Sequence, residues 1–183
     1  MRHRNQVLIA GGLITIGTLA FTLIRSLDRH PLGNRNVPEP AKPVELERYL
    51  GGWYEIARYE QRFERGCKAA TANYSLRQDG NIDVVNRCRK PGGKHSEARG
   101  IAKIVDRRSN AKFKVSFFGP FYGDYWILDH GDDYSWSIVG EPSGRYLWIL
   151  SREANPGNDA VAKLVSRVAA VGYDTSMLVM NEP

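Results

Sequence analysis

Cysteine is scarce. The 183-residue sequence holds two, Cys67 and Cys88, and neither lies near the start of the chain. With none before residue 67, no lipid attachment to an N-terminal thiol is expected. Histidine is nearly as rare, at four scattered residues, and none stands at the spacing of a metal-ligand set. The sequence therefore calls for no metal and no cofactor. It also lacks a Ser-His-Asp order, an activated cysteine and a paired catalytic carboxylate, so nothing argues for an enzyme. Basic residues outnumber acidic ones, 26 to 20, but no basic stripe results. Residues 1–35 carry Arg2, Arg4, Arg25, Arg29 and Arg35 against Asp28, which is most of the excess. That distribution does not suit a nucleic-acid partner.

What the chain does have, first, is an apolar start. "MRHR" precedes an uncharged run from Val7 to Ile24, close to the lower limit for a helix that spans a bilayer. Residues 1–27 are expected to be a membrane anchor or a signal peptide. The run is long for a signal core, and the exit "FTLIRSLDRH" has no small-residue cleavage pattern, which favours the anchor. Either route carries the rest of the chain out of the cytoplasm, into the cell envelope. Residues 28–43 hold four prolines and read as a linker, leaving 44–183 as the folded domain. Two cysteines in such a compartment suggest one disulfide.

The domain reads as strands. "GGWYEIARY" alternates Trp53, Glu55, Ala57 and Tyr59 against Tyr54, Ile56 and Arg58. "KAATANYSLRQDGNIDVVNRCR" is a hairpin with Asp79-Gly80 at its turn. Five more short apolar runs follow, separated by "PGGK", "RRSN", "GPFYG", "HGDD" and "EPSG", all turn chemistry. One helical stripe, Val161, Leu164, Val165 and Val168, comes last and stops at Gly172. This order predicts an all-β fold: an eight-stranded antiparallel up-and-down β-barrel with one C-terminal α-helix outside.

Here the residues resemble a known family. "GGWYEIAR", with Gly51 and Trp53, resembles the G-x-W signature of the lipocalins. "SFFGPFYGDYWIL" and "YLWILSR" are similar to the bacterial, Blc-type branch related to apolipoprotein D. Asp124-Tyr125 matches the T-D-Y motif with Gly123 in place of its threonine, and Arg152 matches the single arginine at the end of the last barrel strand. The resemblance implies a cup that carries fatty acids or lysophospholipids in the envelope, without catalysis. By the same resemblance the envelope layer is the outer membrane.

A barrel that keeps apolar cargo must be sealed at one end. Trp53 is large enough to be the floor, Gly51 lets the backbone pass beneath it, and Arg152 is expected across the indole face. Alternation makes Glu55, Ala70, Ala72, Tyr74, Ile82, Val84, Phe113, Val115 and Phe117 the expected cup wall. Arg62, Arg65, Lys68, Arg89 and Lys90 fall in mouth loops, where a basic rim suits an anionic head group; an ordinary solvated loop surface reads the same way. Phe118, Phe121 and Tyr122 are expected at the mouth too, as a gate, a membrane-docking lip, a homodimer contact or an inward-folded upper wall. Cys67 and Cys88, at the start of the second strand and near the end of the third, bond only if a bulge offsets their register.

Overall fold

The computed structural model describes residues 33–182, apart from 35 and 37. The expected anchor, residues 1–27, lies outside them. Among the described residues no helix is long and apolar enough to cross a membrane. A single helical turn, α1 (Leu46–Tyr49), leads into β1 (Gly51–Tyr59). The next strands are β2 (Ala69–Leu76), β3 (Ile82–Arg89), β4 (His95–Ile104) and β5 (Lys112–Phe118). They are followed by β6 (Phe121–His130), β7 (Trp136–Gly140) and β8 (Leu147–Ser151). Each strand pairs antiparallel with the next, β8 returns to β1, and β1 pairs with β2, so the ring of eight closes.

A closed meander sends successive connections to opposite ends. The β1–β2, β3–β4, β5–β6 and β7–β8 loops lie at the mouth, and the other three lie at the floor. Strand periodicity then sorts side chains into an inner and an outer set. The inner set holds Trp53, Tyr74, Ile82, Val84, Ala102, Phe113, Ile127, Val139 and Leu150, all buried. The outer set holds Ile56, Ala57, Leu128, Ile138, Leu147 and Ile149, covered by α2 (Asn158–Ala170) through Leu164 and Val168. Burying each of these aliphatic side chains is worth about 1.5–3 kcal/mol, so the helix is held as an outer layer of the barrel. The stripe ends where the chain turns through Gly172 at a φ of 91°, which only glycine adopts without strain.

Two irregularities position the site. The pairing of β1 with β8 slips by one residue between Glu55 and Ala57. Glu55 lies opposite Leu150 and Arg58 opposite Trp148, both on the inner face, so Arg58 turns inward. The alternation in the sequence puts Arg58 outside with Tyr54, and the bulge overturns that expectation. The second irregularity is a seam. β1 and β2 pair only up to Glu55–Ala70, and beyond this point a short strand β9 (Leu178–Met180) takes the free edge of β1. Asn181 and Glu182 continue it, their N–H groups donating to the carbonyls of Ile56 and Lys68 at 2.9 and 2.7 Å.

The proline-rich stretch is also laid on the barrel over its described part. Ala41 N–H donates to the Leu128 carbonyl at 2.7 Å, Asn34 is buried, and Asn34 bridges to Tyr173. A chain rich in proline has few N–H donors of its own, but its remaining polar groups find partners on a neighbouring surface.

Candidate ligand-binding cup

The floor is built around Trp53, which is fully buried and donates its indole N–H to the Tyr49 carbonyl at 2.8 Å. The Arg152 guanidinium carbon lies 3.7 Å from the indole centroid, on its face. Its nitrogens donate to the carbonyls of Gly52 (2.6 Å), Arg48 (2.7 Å), Leu50 (2.9 Å) and Tyr49 (3.1 Å). One planar cation thus ties the entering turn to the last barrel strand. Gly51 has a φ of 92°, and a Cβ there would come within 3.5 Å of Arg152 Nη1. Burial holds the guanidinium pKa below its ordinary value, which Tyr49 partly offsets.

The second expected motif needs a correction. Asp124-Tyr125 sits within β6, where Asp124 pairs on the outer face with Lys114 at 2.9 Å. The Asp-Tyr step at the floor is Asp133-Tyr134, in the β6–β7 turn. Tyr134 accepts from Arg152 Nε at its carbonyl and from the Glu45 N–H at its hydroxyl, at 2.6 Å, and lies under the Arg48 guanidinium. Counting the meander places "HGDDYS" at the same end as Arg152.

Above Trp53 the inner face grades from filled to open. Tyr74, Ile82, Val84 and Phe113 are buried, whereas Ala70, Ala72, Val115 and Phe117 are half-buried. Cross-strand register puts Gly100 and Ala98 of β4 and Gly123 of β6 on this inner face as well, opposite Val84, Asn86 and Val115. Ala98 and Gly123 are exposed although they point inward, so solvent reaches between the walls. Small residues on β2, β4 and β6 put little side-chain volume on that side. Tyr125 belongs to the interior: its hydroxyl lies 2.8 Å from that of Tyr74 and 3.1 Å from that of Tyr49. Burial pushes Tyr49 up to about 12 and raises Tyr74 and Tyr125 as well, so this hydroxyl chain stays neutral.

The opposite side of the mouth is polar. Glu55 does face inward, and its carboxylate accepts from Arg58 Nη1 at 3.1 Å and from Asn181 Nδ2 at 3.0 Å. Arg58 is 1% exposed and also meets Glu60, Glu64 and the Cys67 carbonyl. Glu64 dips from the β1–β2 loop to accept from Trp148 Nε1 at 3.2 Å. Burial raises the Glu55 carboxyl to about 8; Glu64 adds to the rise and Arg58 opposes it. Glu64 is raised for the same first reason. A stacked aromatic series, Phe63, Tyr146, Trp148, Tyr125 and Phe113, descends from the lip to the floor beside this cluster.

At the rim, Arg62, Arg65 and Lys90 are exposed, while Lys68 and Arg89 both face Glu182, at 2.8 and 4.0 Å. Phe118 and Phe121 face each other across the β5–β6 turn and are 81% and 79% exposed, while Tyr122 lies under Lys103 on the outer wall. Phe117 alone of that aromatic stretch turns into the cup. Cys67 and Cys88 are bonded, with Cα atoms 5.7 Å apart. No bulge is involved: β2 and β3 pair in unbroken register from Ala69–Arg89 to Leu76–Ile82. Cys67 lies two residues before β2, outside the ladder, and so has the freedom to fold over the inward-facing Cys88.

A sealed eight-stranded barrel, open at one end and clasped outside by a single helix, defines a class of small-molecule-binding proteins. The lipocalin-like domain model matches residues 44–183, and the chain belongs to the lipocalin family. It is 41% identical over 152 residues to the outer membrane lipoprotein Blc of Vibrio cholerae, covering 80% of this chain and 89% of that one. It is 36% identical over 168 residues to the Escherichia coli K12 protein of the same name, covering 91% and 93%. Among solved structures, insecticyanin of Manduca sexta superposes with a TM-score of 0.64 at 19% identity, over 84% of this chain and 87% of that one, a likeness of fold.

Proposed function

We propose that the protein binds and carries a single-chain amphiphile, a fatty acid or a lysophospholipid, without altering it chemically. Family membership supports binding of small hydrophobic molecules in the barrel, and relatives named as outer membrane lipoproteins support a place in the cell envelope outside the cytoplasm. The observation that carries the reading is the graded interior: buried at Phe113 and Tyr74, half-buried at Ala70, Ala72 and Phe117. Such a space accepts an acyl chain tail first. The head group then lies at the lip, where Arg62, Arg65 and Lys90 offer charge-assisted hydrogen bonds to phosphate or carboxylate.

Titration with a fluorescent lysophospholipid tests this. The wild-type chain should saturate at one ligand per chain, and Ala72→Trp, which fills the inner wall opposite Trp53, should lose uptake while keeping its melting temperature. Equal uptake by Ala72→Trp would place the ligand elsewhere and overturn the reading, as would chemical change in the lipid recovered for mass spectrometry.

A further inference from the structure

We infer that the mouth of the barrel docks onto an anionic phospholipid surface, with the β5–β6 turn and the β1–β2 loop entering the headgroup layer. The inference goes beyond cargo binding and does not depend on what the cup holds.

Three large apolar side chains stand in solvent at one end of the molecule. Phe118 and Phe121 flank the Gly119-Pro120 turn at 81% and 79% exposure, and Phe63 in the β1–β2 loop is 67% exposed. No other phenylalanine of the described chain is comparably bare. Phe113 is buried and Phe117 half-buried. A phenylalanine at a hairpin tip contributes nothing to the core, so its exposure is an unrecovered cost unless something apolar covers it.

The charges around these rings choose the occupant. Arg62 and Arg65 flank Phe63 in sequence and are exposed, and Lys90 projects from the neighbouring mouth loop. The carboxylates of the same end are largely paired: Glu60 and Glu64 face Arg58, Glu64 also meets Trp148, Glu182 faces Lys68, and Glu141 accepts from Ser143, Arg145 and Tyr146 N–H groups. Apolar rings among cations, with the nearby acids engaged in pairs, match the interface of a bilayer that carries anionic lipid. A second copy of this chain would instead bring the same cations face to face. Docking in this pose puts the open end of the cup against the layer from which an amphiphile leaves.

A position-specific probe tests this in the full chain, whatever else in it touches a membrane. Phe121→Trp adds an indole at the turn, and its emission is taken as the difference from wild type. With vesicles of zwitterionic lipid containing about a third phosphatidylglycerol, the added emission should shift to the blue and be quenched by chain-brominated lipid. Half-molar salt should reduce binding by about tenfold for the lip, since ions screen its cations over roughly 4 Å. Phe118→Ser with Phe121→Ser should lower partitioning by on the order of tenfold while leaving lysolipid uptake by the cup unchanged. Emission of the added indole that ignores brominated lipid overturns the inference. So does a blue shift that appears without lipid and grows with protein concentration, which would make the lip a contact between copies.

Discussion

Replacing Arg152 with alanine tests the floor most directly. The substitution removes a guanidinium lying 3.7 Å from the Trp53 ring centroid, a cation–π contact worth about 0.5–2 kcal/mol. It also strands the carbonyls of Arg48, Leu50 and Gly52, whereas Tyr49 keeps the Trp53 indole as donor. Two of these charge-assisted bonds at about 1.5 kcal/mol net each, with water recovering part of the remainder, bring the total to roughly 3–5 kcal/mol. For a chain of this size that is a melting temperature lower by roughly 10 °C. Arg152→Lys keeps the charge but has neither the plane to stack nor the fork to reach several carbonyls, so it should fall about midway. Urea denaturation followed by tryptophan emission, with the disulfide intact, measures both. A loss below about 1 kcal/mol in the alanine variant, or a lysine variant equal to wild type, would refute the guanidinium as the tie between turn and barrel.

Two further predictions concern the mouth. Glu55 has a folded-state pKa of about 8 against an ordinary 4.5, so folding favours its protonated form. That contribution is complete below about 4.5 and is lost as pH rises through 8, so wild type should weaken between pH 5 and 9 relative to Glu55→Gln. Equal urea midpoints for the two proteins at both pH values would remove Glu55 as the cause. Cys88→Ser opens a loop spanning 21 residues of separation and should cost about 3 kcal/mol, read as a lower urea midpoint than the oxidised wild type and matched by reduction of the latter.

The meander was legible because its turns are chemically loud. Asp79-Gly80, Pro91-Gly92-Gly93 and Gly119-Pro120 each end a strand, and between them the alternation assigns the inner wall from Ala70 to Phe117. The floor was legible for another reason: Gly51 and Trp53 begin the first strand and Arg152 ends the last, so closing the ring brings them together. The polar corner was not legible. A bulge at Ile56 adds one residue without any glycine or proline to announce it, and it reverses the side on which Arg58 emerges. Asn181 was equally silent, since its two contacts with Glu55 come from 126 residues away. The match of Asp124-Tyr125 rests on local sequence alone, and the end of the barrel at which an Asp-Tyr step lies follows only from the strand count.

The seam between the first two strands has a consequence for how the vessel closes. Before residues 178–182 dock, the upper half of β1 has β8 on one side and nothing on the other. Until then Arg58 lacks Asn181, and the wall beside it is a slit through which water reaches the ion cluster. The stretch beyond the outer helix is therefore the one that finishes the vessel, and a chain lacking residues 178–182 would leak at its side while its base held.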